Sequence, residues 1–137
     1  MAQSANNYQF TVESLLDIAD VRRRKLDKCG PDDTDHVVEL QLVVAALNTL
    51  PERTYRRKGW ETELIDFFNH DLNLKCLKRE MNQEKGQAVS KLIRGGIKGL
   101  TSTEKKWINS IRRCWNRIER DLQNFAKFKE ALEDILF

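Results

Sequence analysis

Glycine and proline are scarce in this chain, at 6 and 2 of 137 residues. An all-β sandwich or barrel punctuates its strands with turn residues every ~8–12 positions, so that class is excluded on supply alone. Cysteine is also sparse. The three present, Cys29, Cys76 and Cys114, are far apart and odd in number, with no C-x-x-C pair. That pattern argues against a disulfide scaffold or a zinc finger and predicts reduced thiols in a cytoplasmic or nuclear protein. Long apolar runs are missing too. Nothing approaches the roughly 20 residues of a membrane span, so no membrane association is expected. The opening MAQSANNYQF has neither a basic n-region nor an apolar h-region, which predicts a protein that is not secreted.

Histidine is nearly absent, with only His36 and His70. His36 falls in a capping region, where exposure is expected. His70 stands four residues after Asp66, as in a helix-end contact. There is no H-E-x-x-H and no pair of E-x-x-H motifs, so neither a zinc hydrolase nor a di-iron site is predicted. No cysteine has a histidine beside it to raise its thiolate fraction. Arg112 and Arg113 precede Cys114, but its position beside an apolar stripe reads as core. The chain is therefore read as non-enzymatic, with no catalytic residues, no metal ligands and no cofactor.

Helical periodicity fills most of the rest. Residues 1–10 read as an N-terminal arm and residues 11–137 as one helical domain. Thr11 can cap a first helix, carried by Val12, Leu15, Leu16 and Ala19 and ended by Gly30 and Pro31. Asp32–Asp35 supply caps for a second helix, apolar on nearly every side from Val37 to Leu47, as expected of a helix buried in the middle. Thr49 and Glu52 have capping-box spacing, with a short basic helical piece over residues 52–58. Trp60, Leu64, Phe67, Phe68 and Leu72 mark a further amphipathic helix. Leu74, Leu77, Met81, Ala88 and Leu92 mark another, interrupted at Gly86. Thr101 and Glu104 form a second capping-box signature. Beyond it Ile108, Ile111, Trp115, Ile118, Leu122, Phe125, Phe128, Leu132 and Ile135 recur at steps of three or four. That stripe predicts a C-terminal helix of about 30 residues, which also offers a homodimerisation surface. The expected fold is all-α: a compact bundle of about five helices, with a buried apolar second helix and a long C-terminal one.

The segment GGIKGL before that helix looks superficially like a phosphate loop. A Walker loop needs G-x-x-x-x-G-K-[ST], but Leu100 follows Gly99. No strand precedes the glycines, so the dinucleotide fingerprint fails as well. They read as a helix C-cap at Gly95 or Gly96 and a short joint.

Charge carries the functional signal. The net value is only +3, yet residues 91–120 contain nine Lys and Arg against two Asp and Glu, a surplus of seven. With Lys106 as reference, Arg113, Arg117 and Arg120 fall on one face at steps of 7, 4 and 3, opposite the apolar stripe. Such a row can track a phosphate backbone, with arginine supplying forked donors. Lys98, Lys105, Arg112 and Arg94 add charge. Trp107, at the edge of the stripe, is a stacking candidate, whereas Trp115 is in phase with the core. Two further basic clusters occur, at Arg22–Lys25 and Arg53–Lys58. Acids surround the first, and the second carries Tyr55 next to Trp60. The composition predicts a small regulatory protein that binds nucleic acid through residues 91–120, with RNA, or a duplex recognised by shape, favoured over sequence-specific DNA reading because no DNA-binding motif is legible. The alternative is a helical adaptor, inhibitor or effector that binds a partner protein.

Overall fold

The computed structural model describes residues 29–137. The expected arm, the helix begun at Thr11 and the cluster Arg22–Lys25 lie outside them. The described chain is mostly helical, with one small sheet. In order it runs β1 (Asp33–His36), α1 (Leu40–Asn48), α2 (Trp60–Phe68), β2 (Leu74–Leu77), α3 (Arg79–Gly95), α4 (Ser102–Ile118) and α5 (Ala126–Leu136). Short 3-10 turns at Glu52–Thr54, Asp71–Asn73, Ile97–Gly99 and Glu119–Asp121 join them.

The sheet corrects the expectation of helix alone. The DTDH segment is not a set of helix caps. It pairs antiparallel with LKCL, Asp33 opposite Leu77 and His36 opposite Leu74. Leu74 and Leu77, which suggested the start of a helix, are the two ends of a four-residue strand, and a separate helix follows it; so short an apolar run does not tell strand from helix. Cys29, just before β1, is bonded to Cys76 in β2, so two of the three thiols are not free. Odd number and wide spacing misled here, because a disulfide needs only a pair that meets in space, and these Cα atoms lie 5.1 Å apart.

The buried apolar helix begins at Leu40 rather than Val37. Val37 and Val38 are still buried, at 5% and 0% exposure, but they lie in the bend that follows β1. Thr49 does not open a capping box. It closes α1, its hydroxyl donating to the Ala46 carbonyl at 2.7 Å, and residues 52–54 make a single 3-10 turn. Gly86 sits inside α3 without interrupting it. Gly30 has the positive φ, 60°, expected of a left-handed residue before Pro31. Gly96 takes φ 73°, a left-handed conformation that costs other residues strain, and it ends α3. The Thr101–Glu104 capping box is formed in both directions and starts α4.

The single C-terminal helix is the main departure. α4 stops at Ile118 after 17 residues, and a turn through residues 119–125 leads into a separate 11-residue α5. The stripe itself contained the reason. Leu122, Phe125 and Phe128 step by three and three, so on one straight helix the apolar face would drift away from the core. Breaking the helix lets Phe125, Phe128, Leu132 and Leu136 all bury, with α5 packed on α1. Leu136, not Ile135, completes the stripe. At the centre, the Phe68 ring lies stacked against Trp115 at 6.3 Å and edge-on to Phe128 at 6.0 Å. Trp115 is fully buried and its indole N–H donates to Glu133 at 2.9 Å.

Candidate nucleic-acid interface

α4 places the basic row. Its apolar face (Ile108, Ile111, Trp115 and Ile118) is fully buried, which fixes the helix's rotation and turns the opposite face outward. Lys106, Arg113 and Arg117 lie on that outer face and are exposed. Over 11 residues the row extends about 16 Å along the helix axis. Arg120 continues it in the 3-10 turn Glu119–Asp121 and is also exposed. Lys105, Arg94 and Lys98 are exposed too, the last two at the end of α3 and in the joint before α4. None of these seven cations forms an ion pair among the described residues. Two of the nearby acids are already engaged. Glu104 is buried and accepts from Lys91 at 2.7 Å, and Glu119 lies 3.3 Å from Lys129.

Two of the sequence candidates are held differently. Arg112 is half-buried. Its Nε donates to the Leu136 carbonyl at 2.5 Å, and its guanidinium lies 5.3 Å from the centre of the Phe137 ring, so it ties α4 to the end of α5. Trp107 is half-buried with its indole N–H donating to Glu84 at 2.8 Å, which fastens α4 to α3. Cys114 is a buried free thiol. Burial pushes its pKa up despite the nearby charges of Arg117, Lys85 and Lys75, so it has no activated-thiolate character.

Sequence reasoning missed a buried polar cluster on the other side of α4. Lys85, in α3, is 2% exposed. Its ammonium donates to Asp35 at 2.7 Å and to the His36 carbonyl at 2.8 Å, and lies 3.4 Å from Glu39. Burial raises the pKa of both carboxyls and outweighs the pull of Lys85. His36 is buried rather than exposed, with Nε2 2.9 Å from Asn69 Oδ1, and burial lowers its pKa. Asn73 is fully buried and bonds Val38 on both its N–H and its C=O, substituting for a strand neighbour. Only the phase of Lys85, three residues before Ala88 on the buried face of α3, could have signalled this. His70 caps the turn after α2, its Nδ1 accepting from the Leu72 N–H, rather than pairing with Asp66. Among the described residues no group of His, Cys, Asp and Glu is placed to hold a metal ion, and no helix is long and apolar enough to cross a membrane.

Comparison with models of known families, with curated proteins and with solved structures returns no match. The functional reading therefore rests on the chemistry of these residues alone.

Proposed function

We propose that this chain is a small non-enzymatic regulatory protein that binds nucleic acid, RNA in preference to DNA, through the outer face of α4 and the end of α3. One observation carries the reading. Lys106, Arg113, Arg117 and Arg120 are exposed in a row, with no carboxylate paired to them among the described residues. An exposed charged face ordinarily mixes signs, and a long unpaired row of one sign favours a polyanion. Recognition would run mainly through phosphates, with the arginines as forked donors.

The test is fluorescence polarisation with single- and double-stranded RNA and DNA at two salt concentrations. Salt-sensitive binding is expected, lost in the Arg113→Glu/Arg117→Glu variant while its circular dichroism stays unchanged. Absence of salt-sensitive binding to all four nucleic acids would sink the proposal. The partner-protein alternative has less support. The large exposed apolar side chains among the described residues are Leu72, Met81 and Phe137, in three different elements.

A further inference from the structure

The basic row does not end at Arg120. The cluster over residues 53–58 lies 60 or more positions before the end of α4 at Ile118, yet two contacts bring it there. The Arg57 guanidinium lies 4.8 Å from the centre of the Phe125 ring. Asn124 donates to Glu63 at 3.0 Å, and Glu63 also takes Arg57 at 2.6 Å. Asn124 and Phe125 follow Arg120 by four and five residues, in the turn that the broken C-terminal helix creates. Most acids at the junction are already in use: Glu52 pairs with Arg56, Glu63 with Arg57 and Glu119 with Lys129. Arg53 and Lys58 are left exposed and without an ion pair among the described residues, as are Arg117 and Arg120. Glu61 and Asp121 are the acids near this junction that have no ion pair among them.

The aromatics of the same region do not face outward. Tyr55 is 5% exposed and packs on Trp60 at 4.8 Å, itself 3% exposed. Trp115 is fully buried and Trp107 is half-buried. Unspecific single-strand binders combine a basic groove with aromatic platforms on which bases stack. Here the cations are present, and among the described residues the exposed aromatic near them is Phe137, held against Arg112, with none beside the residue 53–58 loop. A duplex keeps its bases stacked inside and offers phosphates at fixed positions, and it is recognised by shape and backbone.

We infer that the α4 row and the residue 53–58 loop form one composite surface that takes the phosphate backbone of a double-stranded nucleic acid. The inference rests on the proposed function above and adds Arg53 and Lys58 to its residues. The rigid row engages one stretch of backbone and the loop a neighbouring one.

The experiment compares wild type, Arg53→Glu/Lys58→Glu and Arg113→Glu/Arg117→Glu in polarisation assays. The probes are a double-stranded RNA, a double-stranded DNA and a single-stranded RNA of equal length, each over a salt series. Wild type is expected to bind a duplex at least ~10-fold more tightly than the single strand, and the two duplex arms tell which sugar is preferred. The loop variant should weaken duplex binding about 10-fold and lower the salt slope by about 2, one for each lost phosphate contact. Arg53→Gln/Lys58→Gln serves if charge reversal disturbs folding. Unchanged affinity and slope in the loop variants, with binding lost in the α4 variant, would overturn the composite surface and leave the proposed function standing. Tighter binding to the single strand would overturn the duplex assignment. If wild type binds none of the probes, both fall.

Discussion

Lys85 and Lys106 are the same residue on successive helices, and their surroundings are opposite. Lys85 is buried between two carboxylates and a carbonyl. Lys106 is exposed, in a row with Arg113 and Arg117 and with no ion-pair partner among the described residues. A buried ion survives only when partners replace its lost water, so removing one partner leaves an uncompensated charge. An exposed ion keeps its water and contributes little to the fold. The contrast separates what holds this protein together from what is free to meet another molecule.

The sharpest way to break the comparison is Lys85→Met. It strands Asp35 and Glu39 without their cation and should cost about 3–5 kcal/mol in urea unfolding. The penalty has a sign in pH. Both carboxyls have pKa values raised by burial even with Lys85 present. In the variant the folded state holds their protons more tightly than the unfolded chain does. The loss should therefore be largest near neutral pH and shrink as pH falls toward the carboxylate range. A pH-independent penalty would mean the two carboxylates are not the cause.

Reduction of Cys29–Cys76, or Cys76→Ser, ranks next. The bond closes a loop with a sequence separation of 47, and its removal should lower stability by about 2–4 kcal/mol. Thiol titration supplies an independent check. The native protein should show no rapidly reacting thiol, one after denaturation and three after denaturation with reductant, because Cys114 is buried and free. A different count would refute the pairing.

A smaller effect belongs to His36. Burial lowers its folded pKa below the ordinary 6.5, so the unfolded chain takes up a proton there first. Its contribution is present in full above 6.5 and is lost as pH falls from that value toward the folded pKa. His36→Gln should flatten that part of the stability curve, by about 1.4 kcal/mol for each pH unit between the two pKa values. Parallel curves for the two proteins would show that His36 does not titrate there.

The smallest expected effect sharpens the comparison from the other side. Arg113→Glu/Arg117→Glu should change unfolding stability by no more than about 0.5 kcal/mol, since both side chains are exposed and unpaired among the described residues. A much larger loss would mean that the row helps hold the fold.

Much of α4 was legible in advance. Its capping box, its buried stripe and the outward turn of Lys106, Arg113 and Arg117 all follow from local spacing, because a helix converts three- and four-residue steps directly into faces. The polar cluster was not legible. Asp35, Glu39 and Lys85 come from separate elements, and a carboxylate in the sequence carries no mark of burial. The break after Ile118 was half legible: the two steps of three at Leu122–Phe125–Phe128 stand in the sequence, but the apolar stripe runs through them without a capping signal.

By itself, the chain's order of residues determined a mostly helical protein, the start of α4 and a concentration of positive charge on one side of it, because capping, periodicity and charge act between near neighbours. Tertiary structure decided the rest. It paired DTDH with LKCL, joined Cys29 to Cys76, buried Lys85 between its acids and folded α5 back. In doing so it brought the residue 53–58 loop to the end of the basic row. Each of these depends on groups far apart in the chain meeting in a shared core, where the gain from burying Phe125, Phe128 and Leu132 outweighs the local preference for one continuous helix.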